Sequence, residues 1–187
     1  MRSLIILSLA MFVEIMSASI VLAAPTALKP LAVVHDQMTI EFAPRTPAQM
    51  GSFYEARGFP KAMRDILYQQ CFITVSVNNI SQEKIWLDLV DWKFSVDGEP
   101  LKREHRDYWK QRWQAMGIPL SYQSTFRWTL IPETLDYLPG EQEGGNLVLP
   151  RVKGKITLDA KFKTGEDKQG EVIEIHYDQL YCAENPP

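Results

Sequence analysis

The fold class is decided by one stretch, Cys71–Val96, which reads CFITVSVNNISQEKIWLDLVDWKFSV. β-Branched and aromatic residues dominate it, and they alternate with polar residues in the two-residue period of a strand. We interpret the stretch as three consecutive strands, 71–77, 84–89 and 92–96, with a turn at 78–82. Such a meander has one apolar face, and a second layer must cover that face.

Similar strand patterns flank this stretch on both sides. We predict strands at Val33–Phe42, Ser121–Ile131 and Asn146–Leu149, and a C-terminal hairpin of Ile156–Phe162 with Val172–Cys182. Each strand is short, turn residues separate the strands, and strands do not alternate with helices. The sequence therefore predicts a mainly β fold, an antiparallel immunoglobulin-like β-sandwich with short helical insertions. A small β-barrel is the alternative.

Three segments carry helix signals. Thr46 followed by proline predicts the start of a helix over Pro47–Arg57, and Lys61–Gln69 follows as a second short helix. Arg103–Met116 predicts a third, since Trp109, Trp113 and Met116 are spaced to share one face. Residues 133–145 lie between the predicted strands Ser121–Ile131 and Asn146–Leu149. They are polar and rich in Gly and Pro, and we predict that they form a loop.

The N-terminus predicts export. Arg2 precedes an apolar run, and small residues end at Ala23, which is the pattern of a secretory signal peptide. We predict a signal peptide at residues 1–23 and a single β-sandwich domain at residues 24–187. An uncleaved membrane anchor is the alternative, which Glu14 within the apolar run disfavours. The predicted location is periplasmic or secreted, with no membrane span after cleavage.

Two cysteines, Cys71 and Cys182, are the whole cysteine content. An even count in an exported chain predicts a disulfide, with two buried free thiols as the alternative. The bond would tie the first strand of the central stretch to the last strand of the chain.

Charge and motifs exclude several classes of function. The net charge of −3 gives no reason to expect a nucleic-acid partner. His35, His105 and His176 lie far apart in sequence, and no phosphate-binding, dinucleotide-binding or nucleophile motif occurs. We therefore predict no catalytic residues, no metal site and no cofactor, and we do not expect an enzyme.

Three segments carry a resemblance. Phe53–Pro60, Cys71–Val75 and Gly144–Pro150 resemble segments of uncharacterised exported proteins of proteobacteria. The resemblance implies a periplasmic location and supplies no activity.

The third predicted helix is the candidate partner-binding feature. It is locally basic in an acidic chain, and it mixes cations with the aromatic types that are enriched at interface hot spots. The alternative is that Trp109, Trp113 and Met116 cap the core and the basic residues are a solvated face. The candidate binding residues are Arg106, Tyr108, Trp109, Lys110, Arg112 and Trp113.

The sequence favours an exported periplasmic binding or protein-interaction module, an accessory envelope protein with an undetermined partner. A carbohydrate-binding β-sandwich is the alternative, suggested by five Trp and seven Tyr. A metal carrier or an enzyme is a weaker alternative, because motifs for both are missing. Exposed coplanar aromatic rings would favour carbohydrate, and buried rings would oppose it.

Overall fold

A computed structural model describes residues 31–184, so the predicted signal peptide at 1–23 lies outside the described residues. The strands are β1 Leu31–Val34, β2 Met38–Arg45, β3 Gln70–Asn79, β4 Ile85–Val96, β5 Glu99–Pro100, β6 Thr134–Tyr137, β7 Gln142–Pro150, β8 Lys155–Thr164 and β9 Ile173–Tyr181. The helices are α1 Pro47–Glu55, α2 Lys61–Tyr68, α3 Arg106–Ala115 and α4 Leu120–Thr129.

The strands form two antiparallel sheets, as the mainly β prediction requires. The first sheet has the order β1-β2-β3-β7, and the second has the order β5-β4-β8-β9 with β6 also pairing β4. Inward-facing side chains from both sheets make one apolar core, to which β3 contributes Ile73 and β8 contributes Leu158. Two sheets that enclose a common core are consistent with a β-sandwich.

A second apolar cluster lies on the outer face of the first sheet. Phe72 and Val148 are paired neighbours on β3 and β7, and their side chains face away from the main core. All four helices contribute to the layer that covers them, for example Tyr54 from α1 and Phe126 from α4. The helices therefore form a third layer, and the sheet beneath it is buried on both faces at this end.

The disulfide is present between Cys71 and Cys182, with the two Cα atoms 5.2 Å apart. Cys71 lies in β3 of the first sheet, and Cys182 follows β9 of the second sheet. The bond therefore joins β3 of the first sheet to the residue that follows β9 of the second sheet, and both cysteines belong to the main core.

The sequence signals that predicted the start of α1 at Thr46 and Pro47 are confirmed. The Thr46 Oγ1 atom accepts a hydrogen bond from the Gln49 backbone N–H at 3.1 Å, and Gln49 Oε1 accepts one from the Thr46 N–H at 2.9 Å. This reciprocal pair is a capping box, and Pro47 occupies the first helical position.

The predicted meander is wrong. β3 pairs β2 and β7, whereas β4 belongs to the other sheet and pairs β8. The predicted strands 84–89 and 92–96 are one strand with an irregularity between Leu87 and Trp92. The chain crosses between sheets at Asn79, whose buried carboxamide donates to the carbonyls of Glu83 and Tyr137 at 2.8 and 2.9 Å. Alternation determines which face a residue occupies, but not which strand becomes its neighbour.

The predicted strand Ser121–Ile131 is also wrong, because this segment forms α4. Pro119 precedes the helix, and Tyr122, Phe126 and Leu130 recur every four residues and face the helical layer. The aromatic and β-branched residues that suggested a strand reflect a weak preference, which packing against α3 overrides.

Two predicted strand boundaries also differ from those in the structure. The predicted strand Val33–Phe42 is instead two strands, β1 and β2, and β2 continues through Pro44, with which no described residue of β1 pairs. The predicted loop 133–145 contains β6, which pairs β4, and the start of β7. Because the segment is polar, it lacks the alternation of apolar and polar residues that indicates a strand.

Candidate functional site

Helices α3 and α4 pack through three aromatic rings. The Trp109 and Trp113 rings stack with centroids 5.4 Å apart, and each ring packs against Phe126 at 5.5 Å. The two tryptophans are 2% and 1% exposed. They are therefore structural, which agrees with the core-capping alternative for these two residues, while Met116 at the end of the helix is exposed.

The turn between the helices follows from Gly117. Its φ of 66° is a left-handed conformation, and the Ile118 N–H then donates to the Trp113 carbonyl at 3.0 Å. This compact connection keeps α4 next to α3, so the two helices line a shared groove.

That groove, here called the basic groove, has a volume of about 230 Å³. Its walls carry three cations, Arg106, Lys110 and Arg127, and no acidic residue. Within residues 31–184, no side-chain nitrogen of the three lies within 4.0 Å of a carboxylate oxygen, although the Arg106 backbone N–H bonds Glu133. The remaining lining residues are Trp109, Trp113, Leu120, Gln123, Ser124, Phe126 and Leu130.

Several buried polar atoms around the basic groove have no hydrogen-bond partner among the described residues. They are the indole nitrogens of Trp109 and Trp113, the Nε atom of Arg106 and the Oε1 atom of Gln123. A buried donor without a partner is costly and uncommon in native proteins. The basic groove is therefore positively charged, and three donors and one acceptor, the Gln123 Oε1 atom, lie unpaired around it.

Arg106 is fixed in place by its neighbours. One terminal nitrogen donates to the Leu130 carbonyl, and the backbone N–H donates to Glu133 Oε1 at 2.9 Å. Burial and the adjacent Arg127 guanidinium lower the pKa of Arg106, although an arginine remains protonated in proteins. This cation is therefore held, half-buried, where a partner anion would be favourable.

Glu133 anchors the start of α3. Besides the Arg106 N–H, it accepts two hydrogen bonds from Arg103, at 3.1 and 2.5 Å. The helix begins at Arg106 and not at Arg103, because Glu133 caps it from a distant part of the chain. Burial alone would raise the pKa of Glu133, but the Arg103 and Arg106 hydrogen bonds outweigh burial and hold the pKa below its ordinary value.

We expect this carboxylate to make folding stability pH-dependent. A lowered folded-state pKa stabilises the protein above the unfolded-state pKa of about 4.3, and this contribution disappears as the pH falls through the lower folded-state value. Urea unfolding of the wild type and of Glu133→Gln should therefore show a free-energy difference at pH 7 that shrinks as the pH falls below about 4. Parallel pH curves for the two proteins would contradict this role.

Two large apolar side chains are exposed on α4, Leu120 at 71% and Trp128 at 85%. Leu120 lines the basic groove, and Trp128 follows the groove residue Ser124 by one helical turn. The three cations of the groove together with Leu120 and Trp128 are here called the α3–α4 face. It combines positive charge with exposed apolar area.

The structure brings together four of the six candidate residues. Arg106, Trp109, Lys110 and Trp113 line the basic groove. Tyr108 and Arg112 do not line it, and instead Arg112 donates to the Tyr108 hydroxyl at 2.7 Å.

Sequence reasoning missed the whole contribution of α4, including Arg127 and Trp128, because the segment was predicted to be a strand. The four-residue spacing of Tyr122, Phe126 and Leu130 was the signal that indicated a helix.

Residues 31–184 contain no group of three or more His, Cys, Asp or Glu side chains placed to hold a metal ion. Over the same residues, no helix has the length and hydropathy needed to cross a membrane. Comparison with protein-family models, with curated proteins and with solved structures gives no match.

Proposed function

We propose that this protein is an exported binding module that docks an acidic partner protein on the α3–α4 face. The observation that carries the proposal is the set of three cations in the basic groove, whose side chains form no ion pair with a carboxylate of residues 31–184. A partner segment with a carboxylate beside an apolar side chain would neutralise the cations and cover Leu120 and Trp128. Charge complementarity of this kind guides association and selects the partner.

Export is supported by the disulfide, since such bonds persist in oxidising compartments such as the periplasm. We propose a periplasmic or secreted location on this basis together with the predicted signal peptide. The rest of the chain, 24–187, is proposed to be a single domain.

An immunoglobulin-like topology is proposed for the sandwich. The orders β2-β3-β7 and β4-β8-β9 correspond to the A-B-E and C-F-G strand orders of that fold. The strand order supports the topology and not the function, because this fold carries many unrelated functions.

A protein partner is favoured over a carbohydrate partner. Carbohydrate platforms need several exposed coplanar rings, whereas Trp109 and Trp113 are buried against each other and leave Trp128 as the exposed tryptophan of the helical layer. A non-catalytic role is favoured because the lining of the basic groove contains no Asp, Glu, His, Tyr or Cys, and Lys110, its one group of a type used in proton transfer, is exposed to solvent.

Charge reversal tests the proposal. Lys110→Glu with Arg127→Glu changes two exposed cations and leaves Arg106, which bonds the Leu130 carbonyl, in place. We expect the wild type to capture an acidic envelope protein from envelope extract. After purification, this protein should bind the double variant at least about tenfold more weakly than it binds the wild type. Binding to the wild type should also weaken as salt concentration rises.

The matched control is Lys153→Glu with Lys155→Glu. Both lysines are exposed, neither has a carboxylate within 4.0 Å among the described residues, and both lie outside the helical layer. The control changes the net charge by the same amount and should retain partner affinity. Equal affinity of the two double variants, or capture of no acidic protein by the wild type, would refute the proposal.

A further inference from the structure

A second cavity lies between α1 and the outer face of the first sheet. Its volume is about 470 Å³, within the range of small-molecule sites. It shares no lining residue with the basic groove, so its chemistry can be considered independently. We propose that this cavity binds a small monocarboxylic acid with an apolar body.

The polar side of the cavity is a chain of three side chains. Arg45 Nε donates to Thr74 Oγ1 at 2.9 Å, and the Thr74 hydroxyl donates to Asn146 Oδ1 at 2.8 Å. The NH2 group of Asn146 donates no hydrogen bond to another described residue, and it is therefore available as a donor. The chain therefore orients two planar donors, a guanidinium and a carboxamide, along one wall.

Asn146 is also fixed through its backbone. The Ile131 N–H donates to the Asn146 carbonyl at 3.2 Å, next to a bridge between Leu130 and Asn146. Gly145 permits this close approach, since a Cβ atom there would lie 2.4 Å from the Ile131 nitrogen. Asn146 is 8% exposed, and both its side chain and its backbone are hydrogen-bonded. This part of the site is therefore already formed without a ligand.

The charge of the cavity favours an anion. Arg45 has no carboxylate within 4.0 Å among residues 31–184, and none of the lining residues is acidic. With Nε used by Thr74, the two terminal guanidinium nitrogens have no acceptor among the described residues. A guanidinium that is fixed in this way matches a carboxylate, which accepts two parallel hydrogen bonds.

The apolar lining residues of the cavity define the rest of the ligand. Met50 and Phe53 of α1 line it, and the Phe53 ring is held by Arg57, whose guanidinium carbon lies 3.5 Å from the ring centroid. The structure thus assigns the carboxylate to Arg45 and Asn146 and the apolar body to Met50 and Phe53.

Phenylacetate is a suitable probe, and phenylacetamide is its neutral counterpart. In a titration followed by ¹H–¹⁵N spectra, phenylacetate should bind saturably with a Kd on the order of 1 mM, as expected for about ten non-hydrogen atoms. The shifted amides should include those of Phe53, Thr74, Gly145 and Asn146. Phenylacetamide should bind at least about tenfold more weakly, because it lacks the charge that Arg45 recognises.

Arg45→Gln should lower the affinity for phenylacetate at least about tenfold, whereas Arg127→Gln should leave it unchanged. Arg127→Gln removes the same charge from the basic groove, so it separates this site from the proposed docking face. The comparison of the two ligands on the wild type needs no substitution and remains decisive if Arg45→Gln does not fold. No saturable shift with phenylacetate, equal affinity for phenylacetamide, or equal affinity of the two variants would overturn the proposal.

Discussion

Trp113→Ala is expected to lower the free energy of unfolding by about 3–5 kcal/mol, the usual cost of removing a fully buried tryptophan. The Trp113 ring is 1% exposed, stacks on Trp109 and meets the Phe126 ring edge-on. Its removal leaves a cavity at the centre of the α3–α4 packing, and neighbouring rings cannot collapse into that space without losing their own contacts. Urea unfolding monitored by circular dichroism measures the change.

Trp128→Ala is the matched control. It removes the same side chain from the neighbouring helix, but this side chain is 85% exposed. Its effect on the free energy of unfolding should stay within about 0.5 kcal/mol. If the two variants lost similar stability, the aromatic cluster would not be what holds the helical layer together.

Loss of the disulfide should have an effect of similar size. Cys71 and Cys182 are 111 residues apart, and closing such a long loop restricts the unfolded chain strongly. We expect Cys71→Ala with Cys182→Ala to lower the free energy of unfolding by about 2–5 kcal/mol. Alanine is chosen because a serine hydroxyl at the buried Cys71 position would add a separate cost.

Reduction provides the control for this prediction. With a reductant present, the wild type should unfold at nearly the same urea concentration as the double variant, because both chains then lack the cross-link. A wild type whose stability does not change on complete reduction would contradict a stabilising role for the bond.

Features that depend on neighbouring residues were predictable from the sequence. The start of α1 at Thr46 and Pro47 and the hairpin of β8 and β9 depend on residues close in the chain, and both predictions are confirmed. The disulfide is a long-range contact, but only one pairing of two cysteines exists. In each case the sequence left few physical alternatives.

Features that depend on distant contacts were not predictable in the same way. The segment of α4 alternates like a strand, and it becomes a helix because Phe126 packs into the Trp109–Trp113 pair. β3 and β4 belong to different sheets, and the buried carboxamide of Asn79 bonds distant backbone at the crossing, a contact that alternation does not encode.

The sequence therefore predicted the contribution of α3 to the candidate site but not that of α4. The basic and aromatic character of α3 is visible in the sequence, but burial turns Trp109 and Trp113 from contact residues into support for the groove. The exposed apolar residues come from α4, which supplies Leu120 and Trp128 instead. The composition of a helix can suggest an interface, whereas the packing determines which of its side chains are exposed.

Photo-cross-linking from the α3–α4 face tests the proposed docking most directly. A photoreactive phenylalanine derivative would replace Trp128 in the protein expressed in its native cells, and in a second protein it would replace Val34, which is 78% exposed on β1. We predict that irradiation joins position 128 to one acidic partner protein, and that Lys110→Glu with Arg127→Glu abolishes the product. Absence of a product from position 128, or the same product from position 34, would contradict docking on this face.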